Sequence, residues 1–199
     1  MPLKFWVGAA VVLSSLMCVA IAVNKKECRT IEENNTEKLK NIGKHGEDIS
    51  IYVDFALSSA YPRFFVYDNE NDSILSSSKC AHGYGGGSTT DVPKFSNVSG
   101  SGCSCLGAFK LLNIDKLHNY DIPCVRIKGL DKTNSNAFAR GIVIHEAYFV
   151  ADPISIGMPI PVSKYISQGC FAISTETFNL ICDLMKKQKS IYLYAFYDK

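Results

Sequence analysis

Beyond residue 48 the chain is written in short β-branched and aromatic runs broken by turn residues, and one stretch alone carries a convincing helical period. Residues 49–53 and 63–67 are the first two runs. The second leads into Asp68-Asn69-Glu70-Asn71-Asp72, a turn sequence that predicts a hairpin with 73–81 as its return strand. Further strands are predicted over 108–112, 125–128, 141–145 and 190–196. The helical stretch opens on Ser174 as N-cap with Glu176 in its first turn. It sets Phe178, Ile181, Cys182 and Met185 at i, i+3, i+4 and i+7, and ends near Lys186, Lys187 and Lys189. Strand-rich order with one late helix predicts a mainly β domain. The segment 82–102, dense in Gly, Ser, Thr and Asn, is predicted as a long loop, and loops of that length in compact domains are usually functional or disordered.

The N-terminus has a different character. A short basic start, an apolar run and Ala20-Ile21-Ala22 predict a secretory signal peptide over 1–22, with small residues at the −3 and −1 positions. The rival reading is an uncleaved membrane anchor, because the apolar run nearly reaches the roughly 20 residues that span a bilayer, and Lys25, Lys26 and Arg29 follow it. Leu16-Met17 before Cys18 are too bulky for a lipobox. Residues 23–47 are rich in Lys, Glu and Asn and read as a polar linker or a loosely packed leading helix. The remainder, 48–199, is the length of one domain with a sizeable core. An exported chain, periplasmic or in the cell envelope, is expected.

Export gives the cysteines meaning. Of eight, Cys18 leaves with the signal, and Cys28, Cys80, Cys103, Cys105, Cys124, Cys170 and Cys182 remain. An odd number in an oxidising compartment leaves one thiol unpaired if the others form disulfides. Cys182, on an apolar helical face, also fits as a plain core thiol. Charge is nearly balanced, 21 Lys and Arg against 19 Asp and Glu, which argues against nucleic-acid binding. No metal or organic cofactor is indicated: Cys103-Ser104-Cys105 spaces its cysteines too closely for a structural zinc site, and no Lys follows Gly85-Gly86-Gly87-Ser88 in P-loop fashion.

Chemistry concentrates in Ser167-Gln168-Gly169-Cys170-Phe171-Ala172 and in the upstream strand Ile142-Val143-Ile144-His145. A cysteine nucleophile needs an imidazole within reach and backbone amides free to hold an oxyanion. Gly169 permits a tight turn and a close backbone approach, which places Cys170 at a strand end. The competing reading makes Cys170 a buried apolar thiol. Arg126 and Arg140 are candidates to grip a substrate carboxylate bidentately, against internal ion pairs or solvated strand edges. His45 and His118 stand in polar surroundings and read as solvated.

Taken in order, these and further short motifs resemble the murein L,D-transpeptidase catalytic-domain family of YkuD-like cysteine transpeptidases. The markers are Ala81-His82-Gly83, Phe95-Ser96-Asn97, Gly100-Ser101 and Ser104-Cys105-Leu106-Gly107. Then come Val125-Arg126-Ile127 with Gly129-Leu130, Asn136-Ala137, Arg140-Gly141-Ile142-Val143-Ile144-His145 and the Cys170 motif. The resemblance implies a β-sandwich or barrel with a late α-helix. It implies that Cys170 forms a thioester with peptidoglycan stem peptides, that His145 moves the proton, that the Glu146 carbonyl orients the imidazole, and that the N–H groups of Gly169 and Cys170 make the oxyanion hole. Substrate-binding roles are expected for His82, Arg126, Arg140, Ser167 and Gln168, with an internal hydrogen-bonding role as the rival for His82.

The chain departs from the broader pattern. His145 precedes Glu146 rather than Gly, Gln168 stands where a second histidine is usual, and Ala172 stands where Arg or Asn is usual. The separation of His145 and Cys170 is long, so 146–166 is expected to hold an inserted loop or lid. The same nucleophile serves an L,D-carboxypeptidase or an enzyme releasing proteins from the wall. A wall-attached protein is then a partner, and a non-catalytic peptidoglycan-binding protein is the alternative outside enzymes.

Overall fold

In the computed structural model, residues 47–117, 121–150 and 157–198 are described; the expected signal or anchor, most of the expected linker, Cys18, Cys28, His45 and His118 lie outside them. Eight strands join in one mixed sheet: β1 (Ile49–Asp54), β2 (Phe64–Asp68), β3 (Ser73–Ser78), β4 (Gly107–Lys116), β5 (Pro123–Gly129), β6 (Val143–Glu146), β7 (Phe171–Ile173) and β8 (Ile191–Phe196). Their order is β3-β2-β1-β8-β4-β5-β6-β7. The pairs β1–β8 and β6–β7 are parallel and the others antiparallel. The helix α1 (Thr175–Lys186) starts where the sequence predicts, with the Ser174 hydroxyl accepting from the Thr177 N–H.

The predicted β-sandwich or barrel thus takes the form of one curled, nearly closed sheet. Its two edges meet: the Ala81 N–H, just beyond β3, donates to the Ala172 carbonyl of β7 at 3.0 Å, and the Ser174 N–H donates to Ser78 Oγ at 2.9 Å. Closure of this kind satisfies strand edges that would otherwise be left open. Some bounds differ. The strand predicted over 108–112 runs on to Lys116, past a register irregularity between Leu111 and Ile114, the return strand predicted over 73–81 stops at Ser78, and the one predicted over 141–145 starts at Val143; β7, which begins just after Cys170, had no bounds assigned because three residues give periodicity too little to work on.

Alternation along the strands sorts the side chains. Ile51, Val53, Phe64, Val66, Phe109, Val125, Ile127, Ile144, Phe171 and Leu193 face one core with Phe178 and Ile181 of α1. Phe171 stacks on Phe55 at 6.0 Å and meets Phe109 edge-on at 5.7 Å. Each fully buried side chain of this size contributes about 1.5–3 kcal/mol. The core therefore pins β7 from within as the edge contacts pin it from outside. No disulfide forms among the described cysteines; Cys80, Cys103, Cys105, Cys124, Cys170 and Cys182 are free. Five of them are buried and behave as small apolar side chains, so the pairing allowed by the odd cysteine count is not what holds this part of the chain.

Arg63 is the unusual group in the interior, 1% exposed. Its Nε and Nη2 donate to the Cys80 carbonyl, Nη1 donates to the Leu57 carbonyl, and Nη2 also donates to His82 Nδ1 at 2.8 Å. A guanidinium can only donate, so His82 Nδ1 is the bare nitrogen and Nε2–H donates to the Thr89 carbonyl at 3.0 Å. Burial, and then the Arg63 charge, lower the His82 pKa to about 4. His82 is therefore neutral in the fold and ionises more readily when unfolded. Its contribution to stability is complete above pH 6.5 and is lost as pH falls toward 4. Urea midpoints measured across this interval should fall with acidification in the native chain, and His82→Asn should flatten that part of the curve; an equal slope in the variant would contradict the assignment.

Candidate active site

The candidate base His145 and the candidate nucleophile Cys170 are positioned by one short parallel pairing. In β6–β7, Ile144 lies opposite Phe171 and His145 opposite Ala172. Ile144 and Phe171 face the core, so His145 and Ala172 face outward. Cys170, two residues before Ala172, returns to that same outward face. One strand across and two residues along, the Cα atoms of His145 and Cys170 are about 8 Å apart by sheet geometry, close enough for their side chains to meet. Both residues are part-exposed.

Local geometry at the nucleophile follows from Gly169, whose φ of +119° belongs to glycine. A Cβ there would stand 2.5 Å from the Cys103 carbonyl oxygen and 2.6 Å from Ile142 Cδ1. The turn is clamped by two serines. Ser167 Oγ accepts the Gly169 N–H at 3.1 Å and donates to the Cys170 carbonyl at 2.7 Å. Ser104 Oγ donates to the Gly169 carbonyl at 3.2 Å and accepts the Gly83 N–H at 3.0 Å. Arg140 fastens the glycine-rich loop beside it, donating from Nη1 to the Ser96 carbonyl at 2.6 Å and from Nη2 to the Cys103 carbonyl at 2.5 Å.

These contacts redistribute the expected roles. His82 is 3% exposed with both ring nitrogens engaged inside the protein, so it braces Arg63 and the loop rather than meeting substrate. Arg140 donates to the Ser96 and Cys103 carbonyls and to Ser101 Oγ, Ser167 bonds backbone groups, and both are positioning residues. The Gly169 N–H is held by Ser167, which leaves the N–H of Cys170 as the remaining oxyanion candidate of the two. Gln168 is exposed beside the nucleophile. Arg126 lies opposite Val143 on the nucleophile's face, and its Nε donates to Asp115 Oδ2 at 2.9 Å. The described parts of the long connection after His145 are tied down. Gly157 N–H donates to the Ala60 carbonyl, Lys79 Nζ to the Met158 carbonyl, and Ala147, Val150 and Ile160 pack with Ala172.

Cys124 and the backbone groups of Gly141 and Val143 carry no site role in the sequence reading, yet they line this site. Cys124 stands directly opposite His145 across β5–β6, on the catalytic face. Gly141, at φ +70°, presents its carbonyl to the Cys170 thiol, which donates to it at 3.7 Å, while the Val143 N–H donates to Cys170 Sγ. Only strand register reveals such neighbours. A Gly ahead of an apolar run was the one available hint.

Protonation follows from these surroundings. Burial pushes the Cys170 thiol above its usual value and the neighbouring Cys124 adds to this, against the pull of the Val143 N–H and of Arg140 and Arg126. Burial likewise lowers the His145 pKa, opposed by the Glu146 carbonyl and charge. His145 Nδ1 lies 2.9 Å from the Glu146 carbonyl; that oxygen can only accept, so Nδ1 carries the proton and Nε2 is the basic nitrogen. The resting pair is neutral thiol and neutral imidazole. A neutral pair of this kind is suited to general-base chemistry, in which proton transfer accompanies attack.

Among known proteins, the chain matches the family model described as the L,D-transpeptidase catalytic domain over residues 21–194. Among solved structures, it is similar to an L,D-transpeptidase from Xylanimonas cellulosilytica at 12% identity with a TM-score of 0.45, covering 77% of this chain and 63% of that one. No curated protein matches.

Two outcomes are expected of the site. Iodoacetamide should modify Cys170 before the buried Cys80, Cys103, Cys105, Cys124 and Cys182, with a rate that is low at neutral pH and reaches its half-point above pH 9.0. A plateau at lower pH, read by peptide mass mapping, would contradict the neutral resting thiol. Gly169→Ala should lower stability to urea by about 3 kcal/mol through backbone strain and the clash with Cys103. A variant as stable as the native chain would show that the turn can relax.

Proposed function

Because the chain belongs to the L,D-transpeptidase catalytic-domain family, we propose that it is an exported cysteine acyltransferase of the cell envelope, acting on peptidoglycan stem peptides through Cys170. The observation that carries this reading is the placement of His145, with its tautomer held by Glu146, on the same face and one strand away from Cys170. Such a pair is suited to acyl transfer and needs no cofactor.

In the proposed reaction, Cys170 rotates from the Gly141 carbonyl toward the imidazole, and Nε2 of His145 takes the thiol proton as sulfur attacks the carbonyl of a diaminopimelate-type L-centre. The C–S bond forms, the amide C–N bond breaks, and the proton goes to the amine of the departing D-alanine. An acceptor amine then attacks the thioester; a new C–N bond forms, sulfur leaves, and His145 returns the amine's proton to it. The Cys170 N–H supports the oxyanion in both steps. Arg126 supplies a cation on the same face for a stem-peptide carboxylate, where Ala172 offers no side chain that could do so.

Incubation with purified muropeptides, followed by mass spectrometry, tests the proposal. Expected products are 3-3 cross-linked dimers with release of D-alanine, abolished in Cys170→Ala. Shortened monomers alone would assign hydrolysis instead, and unchanged muropeptides with intact Cys170 would overturn both. Arg126→Ala should raise KM for a stem peptide with free carboxylates by about tenfold with little change in kcat, and amidating those carboxylates should remove the difference. The acid limb of kcat/KM should lie below pH 6.5, since burial keeps His145 basic further into acid than an ordinary histidine.

A further inference from the structure

The parallel ladder of β6 and β7 ends at the nucleophile, and sulfur stands where its first rung would be. The register pairs Ile144 with Phe171 and Glu146 with Ile173, and the Ala147 N–H donates to the Ile173 carbonyl at 2.8 Å. Bonds in a parallel ladder recur at every second residue, so the same series assigns the Val143 N–H to the Gly169 carbonyl. The thiol takes that rung instead. Gly169, at φ +119°, turns its carbonyl to accept from Ser104 Oγ at 3.2 Å, and the Val143 N–H donates to Cys170 Sγ.

We propose that the Val143 N–H is a donor of the oxyanion hole, working with the N–H of Cys170. The inference rests on the acyl-transfer reading of Cys170 and His145 given above. Of the two amides in the nucleophile's turn, that of Gly169 is held by Ser167 Oγ at 3.1 Å, so the turn by itself offers only one donor. Position qualifies Val143 to add the other. Gly141, Val143 and His145 follow one another at every second residue, so sulfur leaving the Gly141 carbonyl for the imidazole passes the Val143 N–H. As it attacks, the C–S bond forms, the thiol proton passes to Nε2 of His145, and the carbonyl π pair moves onto oxygen. That oxygen is two bonds from sulfur, and a donor that reaches Sγ at rest reaches it with little movement. The donor is also fixed in advance: Val143 is 0% exposed and is paired with Arg126 on its other side. Donors held rigid before charge develops are the ones that lower a barrier.

The test replaces the Val143 amide by an ester, installing α-hydroxyisovalerate at position 143 of the full chain in mild detergent. The side chain is kept and one N–H is lost. Acylation of Cys170 by p-nitrophenyl acetate, read as nitrophenolate release and corrected with Cys170→Ala, should slow about a hundredfold. Alkylation of Cys170 by iodoacetamide passes through no oxyanion and should change by less than about threefold. Equal losses in the two reactions would overturn the proposal, because the N–H would then serve the resting thiol alone. Unimpaired acylation would overturn it as well. If the ester chain fails to fold, native protein carrying isotope-labelled valine decides: the Val143 amide proton should move downfield when Cys170 adds to N-acetylalaninal, and an unmoved resonance overturns the proposal. Because p-nitrophenyl acetate carries no stem peptide, the acylation comparison reads Val143 whether or not muropeptides are processed.

Discussion

Three residue pairs between β6 and β7 carry the site. A parallel pairing this short, its strands joined by a long connection, has little strength of its own, because each ladder hydrogen bond adds only about 1 kcal/mol net. It persists because Phe171 and Ile173 are anchored in the core and because the far edge of the sheet arrives at Ala172 and Ser174. Closure of the sheet is thus a condition of catalytic geometry. Remove it and the register that sets Cys170 beside His145 loses two of its supports.

Around that pairing, the polar groups that look most reactive in the sequence serve mainly as braces. Arg140, Ser104 and Ser167 converge on the backbone of 96–104 and 167–170, where a glycine turn would otherwise be free to relax. Arg63 and His82 do the same one layer deeper. Buried donors and acceptors that are fully matched cost little and enforce one arrangement, whereas a half-matched set would be worse than an apolar core. Arg126 stands apart, since its partner Asp115 is exposed and a pair of this kind is weak, which is what the proposed exchange for a substrate carboxylate requires.

Much of this was legible in the sequence. The β-rich order, the helix with its Ser174 cap and the hairpin after 63–67 rest on patterns of a few neighbouring residues, whereas Cys170 and His145 stood out as candidates only within an ordered set of motifs spread along the chain. What escaped depends on register. Cys124 faces His145 because of a pairing between segments about twenty residues apart, and the Gly141 carbonyl meets the thiol only once β6 and β7 lie side by side. His82 illustrates the same limit from the other direction. Its place in a glycine-rich motif suggested contact with substrate, and the deciding fact is a guanidinium nineteen residues away in the chain.

The Gly141 carbonyl has a consequence for the enzyme at rest. Oxidants, stray disulfides and soft metal ions react with thiolate far more readily than with thiol. A thiol kept protonated and turned toward a backbone oxygen, as Cys170 is, offers them little. In the reaction proposed above, sulfur must leave that contact for the imidazole, so the geometry that shields the idle thiol from chemical wear is also the one that would delay its attack.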